Sequence, residues 1–290
     1  MDILSVTYFL NGFLMIAMPI ALAIILTRRW KLGWRIWWIG AATFVLSQVG
    51  HIPFNALVKP VFDQFGFISL HPTVQLIIQA AFYGLSAGLF EEGARYLILR
   101  FWAKDARSWR TGILFGGGHG GAEAIIVGSL ALYAFIQLVA VRNLAPEQLA
   151  QSVGANNLAL AQAQINAYWS APWYQTLLGA LERLFAIPCQ IALAVMVMQI
   201  FTRKNIGWLF AAIGFHALLD GVAVFGQAHL SVYGLEGVVG IFAILSVAII
   251  FLLRQPEPVM DLEPVSAPVQ PAALKPPEET GENLDKTRYQ

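Results

Sequence analysis

Three short patterns set acids, bases and imidazoles four residues apart. Phe90-Glu91-Glu92-Gly93-Ala94-Arg95-Tyr96 separates Glu91 from Arg95 by four; Gly116-Gly117-Gly118-His119-Gly120-Gly121-Ala122-Glu123 does the same for His119 and Glu123, and Phe215-His216-Ala217-Leu218-Leu219-Asp220 for His216 and Asp220. Residues four apart share one face of a helix, so each segment, if helical, offers a paired polar face. Two imidazoles among several carboxylates suit a divalent metal such as zinc, with His119, His216 and Glu123 as its ligands. A carboxylate left over beside it can act as general base toward a water. Arg95 can neutralise or orient one of Glu91 and Glu92.

The elements that must carry these residues are set by composition. Of 290 residues, 58% are hydrophobic and only 12% charged, where a soluble globular chain carries roughly 25%. The chain therefore reads as an all-α integral membrane protein. Seven stretches are long enough to cross a bilayer as helices: roughly Leu4–Leu26, Ile36–Leu57, Val74–Leu99, Thr111–Val139, Trp173–Phe201, Ile206–Phe225 and Val232–Leu253. Alternate connections hold ten Lys and Arg (Arg28, Arg29, Lys31, Arg35, Arg100, Lys104, Arg107, Arg110, Arg203, Lys204), and the other set holds two, Lys59 and Arg142. By the positive-inside rule the N-terminus lies outside and the C-terminus in the cytoplasm. Residues 1–253 form the membrane domain, 140–172 an extracytoplasmic loop whose part after Pro146 can form a surface helix, and 254–290 a Pro- and Glu-rich disordered cytoplasmic tail. The net charge of +1 gives no footprint for nucleic acid, and the single cysteine, Cys189, excludes an internal disulfide.

Among the charges inside these spans are Glu91, Glu92, Arg95, Glu123, Glu182, Arg183 and Asp220. Each costs about 3 kcal/mol at mid-membrane and is a functional-site hypothesis by default. Glu91 lies nine residues from Arg100, His119 nine from Arg110 and His216 twelve from Lys204. At ~1.5 Å per residue all three sit roughly 13–18 Å from the cytoplasmic ends of their helices, in one layer. Glycines 112, 116, 117, 118, 120 and 121 let helices approach closely and leave room for a substrate beside His119.

Glu-Glu-x-x-Arg-Tyr, His-Gly-Gly-x-Glu and His-x-x-x-Asp, in this order on polar spans, resemble the YhfC family of intramembrane metalloproteases. That family is similar to the CAAX prenyl proteases with bacteriocin-processing homologues and to the PrsW proteases. The resemblance covers residues 80–225 and extends to Glu182-Arg183 in the fifth span. It implies an intramembrane endopeptidase of the bacterial plasma membrane, acting on a membrane protein or membrane-bound peptide from the cytoplasmic half of the bilayer. It implies catalytic positions at Glu91, Glu92, His119 and His216, with Arg95, Glu123, Asp220, Glu182 and Arg183 in support. A metal-free version would set Glu91 and His119 on the water, with His216 donating to the oxyanion.

Other readings compete. The same acids and histidines would serve a cation or proton transporter or channel, against which stands the lack of an inverted repeat. A non-enzymatic scaffold is a third reading. Glu91, Glu92 and Arg95 could form a structural ion pair, yet two acids to one base leave a carboxylate over. His51, His71 and His229 read as interfacial, and Cys189 as a packing residue. Gly84-Leu85-Ser86-Ala87-Gly88 matches a serine-hydrolase elbow, which needs a strand-turn-helix setting. Within an apolar span its small residues read as helix packing.

Overall fold

The computed structural model describes residues 2–64 and 69–256. The tail assigned to 254–290 lies outside them from residue 257 onward. Among the described residues there are nine α-helices: α1 (Ile3–Trp30), α2 (Arg35–Gln64), α3 (Pro72–Phe101), α4 (Trp109–Val141), α5 (Pro146–Val153), α6 (Leu158–Trp169), α7 (Leu178–Thr202), α8 (Gly207–His229) and α9 (Val232–Leu252). Seven of them, all but α5 and α6, are long and apolar enough to cross a membrane. Hydrocarbon offers no partner to a backbone amide, so the apolar runs close their hydrogen bonds internally as helices.

Helix ends follow local chemistry. Asp2 caps α1 by accepting from the Ser5 N–H at 2.8 Å. That bond, with Arg142 as the second partner, holds the Asp2 carboxyl down to about 2. Ser108 and Thr111 cap the start of α4 reciprocally, and Ser231 caps α9. The segment after α4 folds as α5 and α6 and is tied to the start of α1. The Tyr8 hydroxyl donates to the Tyr168 carbonyl at 2.7 Å, and the Arg142 guanidinium lies 3.9 Å over Trp169.

The bundle is organised around α7. Of its most apolar stretch, 67% is buried, against 11–28% in the other six spans. It packs on α1, α3, α4, α8 and α9, and its Leu193, Val195 and Val197 meet Leu99, Leu114 and Phe115 in the core. The most extensive pairing is α3 with α8. There a Cβ on Gly84 would lie 2.3 Å from the Ala217 carbonyl oxygen, and one on Gly88 2.7 Å from that of Ile213. Gly84 and Gly88 are thus packing residues, and Ser86 stands in the middle of a helix rather than at an elbow. The glycine run of α4 works the same way. A Cβ on Gly118 would meet the Trp37 carbonyl oxygen at 2.0 Å, and one on Gly116 the Ile191 Cα at 2.6 Å. Gly116 and Gly118 press α4 onto α7 and α2 rather than holding open space beside His119, against the expectation of room for a substrate there.

Candidate active site within the bundle

Four helices meet at one buried cluster. From α3 come Glu91, Glu92 and Arg95, from α4 His119, from α8 His216 and from α2 Gln48. Glu92, Arg95 and His119 have no exposed surface, His216 has 2% and Glu91 6%. Glu91 sits at the centre. Its Oε2 lies 3.0 Å from His119 Nε2, 4.0 Å from His216 Nε2 and 3.7 Å from an Arg95 nitrogen. Its Oε1 accepts from Gln48 Nε2 at 3.0 Å. Glu92 faces the other way. Its Oε1 pairs with His216 Nδ1 at 2.7 Å and accepts from Arg95 Nη1. One carboxylate therefore orients the His216 ring through Nδ1, and its neighbour in sequence meets the free edge of both rings. Asp220, one turn along α8, is 3.6 Å from His216 Nε2 and is the most exposed acid of the group.

Glu123, Glu182 and Arg183 form an adjoining cluster. Arg183 donates to Glu123 and to Glu182, and Glu123 Oε2 accepts from Gln190 Nε2 at 2.9 Å. Gln190 Oε1 in turn accepts from Arg95 Nη2. A continuous line of hydrogen bonds thus runs from Glu182 through Arg183, Glu123, Gln190 and Arg95 to Glu92 and His216. The structure gathers Glu91, Glu92, Arg95, His119 and His216 in one place, with Asp220 at its edge. Glu123 belongs to the second group, one amide away.

The neutral members of both clusters escape a search for charges. Gln190 and Gln48 carry none, and their signal is an amide inside an otherwise apolar span. Gln48, His51 and Asn55 are three and four apart on α2, a polar stripe at helical spacing. His51 has partners on both α2 and α3. Its Nε2 lies 3.1 Å from the Ser86 Oγ of α3 and 2.9 Å from Asn55 Nδ2, and its ring stacks at 5.5 Å on Phe90. A further intramembrane acid, Glu236, stands one turn into α9 with Oε2 buried and without a hydrogen-bond partner among the described residues. Its place so near the start of the span hides it from a depth argument.

The donors suit a divalent cation by chemistry. Two ligands on one zinc ion at ~2.1 Å stand roughly 3.4 Å apart in a tetrahedral shell, and Glu91 Oε2 lies 3.0 and 4.0 Å from the two Nε2 atoms. The Glu92–His216 Nδ1 contact is the outer carboxylate that metal-binding imidazoles use to fix their tautomer. Among the described residues no three His, Cys, Asp or Glu side chains close into a ready coordination shell; here they bond to one another instead.

Seven membrane-spanning helices around a buried set of acids and imidazoles define an integral, multi-pass membrane protein with a polar site inside the bundle. The model of the family described as YhfC intramembrane metalloprotease matches residues 14–243, and the chain belongs to that family. It is also similar to the uncharacterized membrane protein YhfC of Bacillus subtilis (strain 168), with 33% identity over 247 residues, 82% of this chain and 92% of that relative. No solved structure matches the chain.

Proposed function

We propose that the protein is an intramembrane endopeptidase that hydrolyses a peptide bond of a membrane protein or membrane-bound peptide at the Glu91–His119–His216 cluster. The observation that carries this is the position of Glu91 Oε2 between the Nε2 atoms of two imidazoles on different helices. The family's description supports the reaction class. A divalent cation would be held by His119 Nε2, His216 Nε2 and a Glu91 oxygen, since the Glu123 carboxylate is taken up by Arg183 and Gln190. Zinc suits that His2Glu set. When bound, the ion supplies Lewis acidity to a water and to the scissile carbonyl.

The remaining steps belong to the side chains. With a proton on Nδ1 held by Glu92, His216 turns Nε2 toward Glu91 and Asp220. Arg95 offsets the charge of the paired carboxylates. Gln48 fixes the rotation of the Glu91 carboxylate through Oε1. Asp220, at the exposed edge of the cluster, is placed to accept a proton from a water entering there and to return it to the leaving amine. Burial of the rest excludes competing water.

Metal analysis of the purified protein tests the ligand set. We expect about one divalent ion per chain in the wild type and at least tenfold weaker retention in His119→Ala and His216→Ala, with Glu123→Gln retaining the ion. Equal retention in all four proteins would remove the two histidines from the site. For the reaction, cleavage of candidate membrane substrates should vanish in Glu91→Gln. Cation flux through liposomes in place of cleavage would assign the cluster to transport.

A further inference from the structure

A groove of about 680 Å³ follows the line where α7 and α9 pack together. On α7 it runs from Leu178 to Pro188 and on α9 from Tyr233 to Val247. Ten residues of helix rise ~15 Å, one leaflet's share of a ~30 Å hydrocarbon core. The groove begins at the end of the bundle opposite the one that bears Arg110 and Arg254. Glycine keeps it open on the α9 side: a Cβ on Gly237 would find nothing within 4 Å. Among the described residues of its lining, only Tyr233 and Glu236 carry polar side chains.

Glu236 is the odd member of that lining. It stands one turn into a membrane span, and its buried Oε2 has no hydrogen-bond partner among the described residues. The charges that act on it are those of Glu182 and Arg183 on α7. Arg183 is already engaged, donating to Glu123 and to Glu182. The surroundings of Glu236 therefore hold a surplus of acid, and a carboxylate within a span is costly without a partner. Side chains on a helix lean toward its N-terminus, so Glu236 is directed toward the start of α9. Tyr233 stands there, its ring 6.3 Å from that of Tyr174, which in turn lies 5.8 Å from Trp173. Rings of this kind mark the boundary between hydrocarbon and headgroups.

We infer that the groove holds one phospholipid whose head carries a primary ammonium, phosphatidylethanolamine, with that ammonium on Glu236 and one acyl chain laid between α7 and α9. A carboxylate without a donor is completed by a cation that brings N–H groups, and such charge-assisted bonds are the strong ones. Tyr233 adds a ring face to the same cation. Phe185, Pro188, Gly240 and Ile244 supply the apolar wall for the chain.

The other common heads fit less well. A trimethylammonium has the charge but no N–H to give. An anionic head that lacks an ammonium sets its phosphate against Glu182 and Glu236. The site is built from other residues than the Glu91 cluster and does not depend on the reaction proposed there.

Native mass spectrometry of the full chain, released from nanodiscs of phosphatidylcholine with graded phosphatidylethanolamine, reads occupancy directly. We expect one phosphatidylethanolamine retained in preference to phosphatidylcholine. The N-methyl and N,N-dimethyl lipids keep an N–H and should be retained as well, the preference vanishing only at the trimethyl head. Phosphatidylglycerol should not compete. Glu236→Gln should weaken the first binding event roughly tenfold. Glu147→Gln, which removes an acid on α5 outside the groove, should leave it unchanged. Gly237→Leu, which fills the groove with Glu236 intact, should weaken it. Millimolar ethanolamine should fail to displace the lipid. Equal retention of the ethanolamine and choline lipids by the wild type would overturn the site. So would a preference for phosphatidylglycerol, an unchanged preference in Glu236→Gln, or equal loss in Glu147→Gln. Displacement by ethanolamine, or indifference to Gly237→Leu, would overturn the lipid as occupant. The headgroup series uses wild-type protein and stands even if a variant fails to fold.

Discussion

At the scale of single residues, Arg95 has the most demanding position. It has no exposed surface and serves Glu92, Glu91 and Gln190 together. Removing one partner of a buried pair leaves an uncompensated charge, at a cost of about 3–5 kcal/mol. Arg95→Leu should therefore unfold at markedly lower temperature than wild type in detergent. Adding Glu92→Gln should restore part of the loss, and a lack of recovery would deny the pairing. Gln190→Leu strips partners from Arg95 and Glu123 at once and should cost about 2 kcal/mol or more. The charged residues of this network stand out in the sequence because charge is rare in spans. Gln190 does not, because an uncharged amide is cheap to insert and its importance comes only from lying between two ionic neighbours contributed by different helices. The partner of His51 is hidden for a related reason: counting from a span's end gives depth along one helix, and nothing in that count shows Ser86 of another helix alongside.

At the scale of elements, the seven spans are legible because bilayer thickness fixes their length and the caps mark their ends. The partners of each helix are not legible, since hydrophobicity is alike on all faces of a helix in lipid. Glycine supplies part of what is missing. Gly118 has Trp37 of α2 against it, whereas a Cβ on Gly117 would find its nearest neighbour, Leu22, only at 4.0 Å. Gly118→Ala should push α4 from α2 and lower stability by about 1–3 kcal/mol. Gly117→Ala, with open space and better helix propensity, should be neutral or slightly stabilising. A thermal-unfolding comparison of the two decides whether the run exists for close packing, and equal loss in both would refute it.

At the scale of the whole molecule, the asymmetry of Lys and Arg predicts that the end bearing Arg110 and Arg254 lies in the cytoplasm. The single cysteine is buried, so the wild type supplies a clean background for labelling. A cysteine placed at Gln255 should react with an impermeant maleimide only after the membrane is opened, and one placed at Ser5 should react in intact cells; the reverse pattern would invert the topology. The line of bonds from Glu182 to His216 adds a requirement in time. When α3 leaves the ribosome it brings two acids and one base into the membrane, and the residues that complete its hydrogen bonds come much later, Gln190 with α7 and His216 with α8. During synthesis α3 is therefore an ill-suited passenger, held in place by later arrivals. Chains that stop before α8 should be poorly retained in the membrane and be cleared by quality control, though most of their spans are already made.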